Sequence, residues 1–370
     1  MIVIGSGWLH AALAMFVLLE VVEVPMSWRK SSGGFEYQWI GITTMLQSYR
    51  IGLSERRADW VWKWSMEQIK KKEVVVREFA EGLGRLGFAT SVLESEKPFL
   101  APLYSFVSVH FEGARVRLPL FVLMNLLWVA TRVKRRRTVD CALRRESLGQ
   151  LFRVDAKAEG DDVAVGGWAP AVQSDGSISK FRSPWFAIRL TRASDPWAFS
   201  KGEPYKVVMA LEAAATLCGL MLLGKDALKA RGGPLASRGS VEIGAMGDSQ
   251  GGSMAMSKGA STKFPLCVVL MELAVQQESL GLRLDSEWAP RYSNEEADAL
   301  SNMNLQGFDP ARRRGGESLG KLGFVVLDEM MSIGERFYQQ MAKDKEGANP
   351  LAKTPRQRGK KISLRERDPW

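Results

Sequence analysis

The alternation of apolar and polar positions divides the chain into segments of recognisable period. WLHAALAMFVLLEVVEV, residues 8–24, is apolar almost throughout. Glu20 and Glu23 interrupt it before it reaches the roughly 20 residues a membrane span needs. No basic residues precede it as they do in a signal peptide, so it predicts a buried amphipathic helix. A basic turn, SWRKSSGG, leads into FEYQWIGITTML, whose alternation and aromatic content predict a β-hairpin. Residues 55–105 read as helices. Trp60, Trp62 and Trp64 lie there beside basic residues, which fits a core edge flanked by solvated lysines and equally a helix tracking a phosphate backbone. LPLFVLMNLLWVA, residues 118–130, is again too short to span, and the basic run from Arg132 to Arg137 predicts a solvated face.

The second half carries acids at the ends of its elements. Leu151, Phe152 and Val154 predict a strand that ends on Asp155; AKAEGDD is turn chemistry, and residues 163–168 predict a second strand reaching Gly166 and Gly167. PWFAIRL predicts a third strand. EPYKVVMALEAAATLCGLMLL predicts a long helix with Glu212 among alanines, where an acid is costly unless something holds it. SVEIGAMG predicts a strand ending on Asp248 that turns through glycines into a helix, and FPLCVVLMELAVQQESL predicts another helix. LRLDSEWAPRYSNEEADALSN then predicts a strand, a turn and a short helix carrying Asp298. Residues 224–239 predict a mobile basic loop. The remainder holds one helix-like stretch near residues 324–343 and a basic, proline-containing end for which disorder is the default.

Composition narrows the function classes. The 370 residues, 46% hydrophobic and 25% charged, leave room for two cores. A net charge of +10 points to a polyanionic partner, with nucleic acid favoured over an anionic membrane surface. Cys141, Cys218 and Cys267 are far apart in apolar or basic contexts, so they predict reduced core cysteines of an intracellular protein (cytoplasm or nucleus), not a disulfide frame or a zinc site. His10 and His110 are the only histidines, which leaves little room for a histidine metal site or a Ser-His-Asp triad. No membrane association and no small-molecule cofactor are expected.

A carboxylate at the exposed end of a buried strand suits a metal ligand, though such aspartates also cap turns. In order and context, Asp155, Glu212, Asp248 and Asp298 resemble the four-carboxylate pattern of the ribonuclease H family. The likeness covers about residues 151–302. WAPRYSNEEADAL is its most specific part, being similar to the W-x-P-R and N-x-x-A-D segment of retroelement ribonuclease H domains. The resemblance implies an α/β fold, a ribonuclease H-like mixed five-stranded sheet with flanking helices. It also implies two Mg2+ ions, with Mn2+ as a substitute, held by those four acids: Asp155 bridging both ions, Asp298 completing the water-activating site, Glu212 and Asp248 the leaving-group site. Glu212 would lie near the RNA 2′-hydroxyl. Glu159, Asp161, Asp162, Asp285, Glu287, Glu295 and Glu296 are expected to be solvated acids without a metal. Two departures from the family stand out: no histidine lies between Asp248 and Asp298, and Ser249 follows Asp248 where asparagine is often found.

The first half resembles, more loosely, a retroelement reverse transcriptase. MIVIGSG is similar to the stretch after the polymerase aspartates, Lys30 to the basic residue before the primer-gripping hairpin, Trp39-Ile40-Gly41 to that grip, and PFLAPLY to a thumb or connection helix. No Y-x-D-D occurs, so polymerase activity is not expected. The implied division is a palm-end helix and primer-grip-like hairpin over 1–54, a mostly helical thumb/connection region over 55–148, the ribonuclease H-like domain over 149–305, and a largely disordered basic tail with one helix over 306–370. The implied function is metal-dependent cleavage of the RNA strand of RNA–DNA hybrids by a truncated retrotransposon enzyme. Lys30, Trp39, Arg77, Arg85, Arg291 and Asn294 are the expected nucleic-acid contacts. A non-catalytic nucleic-acid-binding remnant and a DNA-cutting recombinase or integrase of the same fold are the alternatives.

Overall fold

The structure is a computed structural model that describes residues 8–24, 34–140, 146–230, 241–316 and 318–347. Lys30, Cys141, residues 231–240 of the expected basic loop and the chain beyond residue 347 lie outside the described residues.

The first apolar run is a helix, α1 (Trp8–Val21), yet Val17 is 62% and Val21 72% exposed. The expected burial is therefore corrected. Apolar residues occur all round this helix, so it lacks the one-sided stripe by which a helix packs onto a core. The hairpin forms as its alternation predicts, with β1 (Glu36–Trp39) antiparallel to β2 (Ile42–Met45). Ile40 and Gly41 connect them with φ of 48° and 76°, the left-handed pair that suits a two-residue hairpin turn. β3 (Arg50–Leu53) follows, and Ser54 caps α2 (Glu55–Lys71) by accepting from the Arg57 N–H. Then come β4 (Glu73–Val75), α3 (Val76–Val92), α4 (Ala101–Val109), β5 (Arg115–Arg117), α5 (Leu120–Arg135) and β6 (Thr138–Asp140). β1, β2, β3 and β6 form a four-stranded antiparallel sheet, while β4 pairs with β5.

Trp60 stacks on Trp64 and Trp64 on Phe79, each at 5.6 Å, so this tryptophan pair is a core edge. The basic run at the end of α5 is exposed at Lys134, Arg135 and Arg136, as expected of a solvated face, and its cations also meet acids. Arg132 pairs with Glu96 at 3.2 Å and with Glu278, Arg136 with Glu278 at 2.8 Å, and Lys134 with Asp59 at 2.7 Å. Acids from three neighbouring segments converge there and turn the run into an interface.

The second half is β7 (Glu146–Glu159), β8 (Asp162–Trp168), a small arm with β9 (Ala171–Val172) and β10 (Ile178–Ser179), β11 (Trp185–Leu190), α6 (Val208–Gly219), α7 (Lys225–Ala230), β12 (Val241–Gly247), α8 (Gln250–Lys258), α9 (Leu266–Leu280), β13 (Leu282–Trp288) and α10 (Glu295–Ser301). The sheet order is β11-β8-β7-β12-β13, with β7, β8 and β11 antiparallel and β12 parallel to both β7 and β13. Residues 204–224, centred on α6, are long and apolar enough to cross a membrane, but they are buried as the central helix.

Pleating sorts β7 by face. Phe152 and Val154 meet α6 at Gly219, where an added Cβ would come 2.5 Å from the Phe152 ring. Arg153 and Asp155 point the other way, toward α10. The core is continuous from Leu53 to Met341, so no break in packing marks residue 148. Nor are residues 306–347 part of a disordered tail: α11 (Leu327–Gly347) buries Met330, Met331, Phe337 and Met341 against α4, α5 and α9. Its apolar residues recur at helical spacing, which gives it a face to bury.

Candidate metal centre

Asp155 does not end its strand. β7 runs on to Glu159 because Ala156 to Glu159 keep pairing with Val165 to Asp162, and the turn is made by Gly160 and Asp161. The strand that stops is β12, whose last partner on β7 is Arg153. Beyond that point β7 has no neighbour on this side, and Asp155 faces the gap. Glu212 enters the same gap from the second turn of α6, and Asp248 follows directly on Gly247, the last residue of β12.

Asp155, Glu212 and Asp248 each bring a carboxylate oxygen within 4.8 Å of the other two. Asp155 and Glu212 are buried. Burial, the largest cause, pushes Asp155 up to about 6; the Ser301 hydroxyl it accepts from pulls the other way, and the charges of Asp248 and Asp298 add to the rise. Burial followed by the charges of Asp155 and Asp248 holds the Glu212 carboxyl well above its ordinary range. Among the described residues no lysine or arginine pairs with any of the three. A buried cluster of negative charge with no protein cation in contact is a hole for a cation, and three hard oxygen donors suit magnesium or manganese.

Asp298 does not join this cluster as expected. Its carboxylate pairs with Arg291, seven residues earlier, and accepts from Asn302 at 3.3 Å, so a guanidinium already meets its charge. Asn294 also departs from its expected role as a nucleic-acid contact. It is fully buried, and its amide donates to the Val154 carbonyl at 2.9 Å, tying the start of α10 to β7. Arg85 lies over the Trp60 ring at 4.8 Å, Arg77 pairs with Glu81 at 3.6 Å, and Trp39 is 69% exposed on the hairpin. Three acids set aside in the sequence have partners elsewhere: Asp162 with Lys157 at 2.7 Å, Asp161 with Arg192 at 2.7 Å, and Glu296 with Lys180 at 3.2 Å.

Three supporting residues escaped sequence reasoning. Ser301 donates to Asp155. Trp288 donates its indole N–H to the Asp248 carbonyl at 2.9 Å. Gly166, opposite Asp155 on β8, lets α10 approach, since a Cβ there would stand 2.5 Å from the Ser301 nitrogen. Trp288 stood in the W-x-P-R segment without an assigned role, and Gly166 carried the signal of a glycine inside a strand, which marks close approach of another backbone.

The strand order, the helices on both faces and the acids at the point where β12 ends define a ribonuclease H-like α/β fold. No protein-family model and no curated protein matches the chain. Among solved structures, ribonuclease H1 of the halophilic archaeon Halobacterium salinarum is similar at 23% identity over 43% of this chain and 97% of its own, with a TM-score of 0.27. The N-terminal ribonuclease H domain of a Mycobacterium tuberculosis protein, solved as a fusion with maltose-binding protein, is similar at 23% identity over 42% of this chain and 93% of that one, with a TM-score of 0.27. A foamy viral protease–reverse transcriptase in complex with double-stranded DNA is similar at 14% identity over 77% of this chain and 44% of that one, with a TM-score of 0.29.

Proposed function

We propose that this chain is a divalent-metal-dependent nuclease that cleaves the RNA strand of RNA–DNA hybrids, within a retroelement reverse transcriptase-like protein; the sequence itself contains no Y-x-D-D. The observation that carries the reading is the convergence of Asp155, Glu212 and Asp248. Asp155, Glu212 and Asp248 would hold the ions, two by the family's pattern, with Asp298 joining once it leaves Arg291. When bound, such ions lower the pKa of water and neutralise charge on the phosphate and the leaving oxygen. The chain's own part is to fix the oxygens in place. β7 and β12 set the two aspartates on a rigid sheet, Ser301 orients the Asp155 carboxylate, and Trp288 pins the backbone at Asp248. Burial of Glu212 keeps bulk water from competing for its oxygens. The net charge of +10 would favour the phosphate backbone.

The test is a panel of end-labelled substrates incubated with the full chain and magnesium. Cleavage of RNA in the hybrid, with single-stranded RNA and duplex DNA intact, is the expected result. Cleavage of DNA alone would instead identify a recombinase of the same fold. A folded protein inactive with both magnesium and manganese would be a non-catalytic remnant. Primer extension by this chain on a primed template would overturn the expected lack of polymerase activity.

A further inference from the structure

β8 and β11 are paired up to Trp168 and Trp185, but the chain does not turn directly between them. Residues 169–184 form an arm with its own ladder, β9 against β10. Its tip is closed by Asp175, which accepts from the Ser177 N–H at 2.9 Å and hydroxyl at 2.7 Å, and by Gly176 at φ +83°. Its root is fixed twice. Ser183 donates to the Ser179 carbonyl at 2.7 Å and accepts from the Ala171 N–H at 2.9 Å. Trp168 and Trp185 pack around Phe308, and the Trp185 indole donates to the Asp309 carbonyl at 2.8 Å.

The arm leaves β8 at Trp168, two residues beyond Gly166, the cross-strand partner of Asp155. Lys180 pairs with Glu296 at 3.2 Å, in the first turn of the helix that carries Asp298. On the arm, Phe181 is 64% exposed between Lys180 and Arg182, and among the described residues the Arg182 guanidinium has no acidic partner. The loop entering the same helix offers a second such pair, Arg291 and Tyr292, the latter 79% exposed. An aromatic next to a cation thus lies both on the arm that pairs with the first turn of α10 and on the loop that enters it. Exposed aromatics interleaved with basic residues fit a nucleic-acid strand, which offers anionic phosphates and stackable bases together; a purely apolar protein surface would leave the Arg182 guanidinium unmatched, while Arg291 already pairs with Asp298.

We propose that the arm is a second substrate contact, in which Phe181 and Arg182 hold a strand of the bound nucleic acid just outside the acid cluster. The proposal rests on the nuclease reading for the identity of the ligand. It is tested by binding of the full chain to a fluorescent RNA–DNA hybrid in calcium, with benzoylphenylalanine placed at position 181 for photo-crosslinking. Phe181→Ala should weaken binding about tenfold. Arg182→Ala should make the dependence of log affinity on log salt shallower by about one unit. Arg192→Ala, at the opposite end of the β7–β8–β11 meander, should change neither. A crosslink at 181 without magnesium-dependent cleavage would keep the arm and overturn the nuclease reading. Cleavage by the wild type, with the doubly substituted arm binding as tightly and at the same salt slope, would overturn the arm and keep the nuclease. A wild type that binds no hybrid overturns both.

Discussion

Asp155 is raised to about 6 from an ordinary value of 3.8, so the folded chain holds this proton more tightly than the unfolded chain does. Stability contributed by the protonated group is complete below about 3.8 and is lost as pH rises through about 6. In chelator, Asp155 should therefore contribute a loss on the order of 3 kcal/mol across that window, and Asp155→Asn should remove that share, leaving the part due to Glu212, and stabilise the metal-free protein at pH 7. Urea unfolding of both proteins at pH 4.5 and pH 7 measures this; an identical pH response would show that Asp155 is not confined by burial and by its acidic neighbours. Magnesium should reverse the order at pH 7, stabilising the wild type and leaving Asp155→Asn unmoved. The acids themselves were legible in the sequence because Glu212 among alanines and Asp248 before glycines are conspicuous. The Arg291–Asp298 pair was not, since it depends on a side-chain rotamer that spacing does not determine.

At the scale of elements, Glu272 on α9 shows how α11 is held. Its buried carboxylate accepts from the N–H groups of Val325, Val326 and Leu327 at 3.0, 2.7 and 3.0 Å and from Gln276 at 2.6 Å. A carboxylate at a helix N-terminus meets both the free N–H groups and the helix dipole. Glu272→Ala should cost about 2–4 kcal/mol by leaving these donors unpaired, with Glu272→Gln milder. Amide exchange should then accelerate first in α11; exchange that accelerates evenly across the chain would contradict this capping role. Helix α11 was visible from its apolar spacing, but its docking was not, because the capping residue lies more than fifty positions earlier. The strand through Asp155 was mis-ended for a related reason. Ala156 to Glu159 look like a turn alone and become strand only through their partners on β8.

For the whole molecule, one hydrophobic cluster runs across the expected boundary near residue 148, beside a second, smaller one around Trp168, Trp185 and Phe308, and Arg132 and Arg136 of α5 pair with Glu278 of α9. Charge patterning anticipated the exposure of Arg136 but not its pairing with Glu278, because it does not register acids distant in sequence. The net charge of +10 remains a property of the whole chain, and seven lysines and arginines against two acids fall in residues 350–370. Truncation after Asn349 should therefore weaken hybrid binding and flatten its salt dependence, measured by titration at several salt concentrations. An unchanged slope would make that segment a bystander. The most direct test of the metal centre is cleavage of the RNA strand in a labelled hybrid with magnesium, comparing the wild type with Asp155→Asn and with Asp162→Asn, whose carboxylate pairs with Lys157 away from the cluster. The account predicts cleavage by the wild type and by Asp162→Asn, and a loss of several orders of magnitude in Asp155→Asn with folding intact. Full activity in Asp155→Asn, or its loss in Asp162→Asn alone, would contradict it.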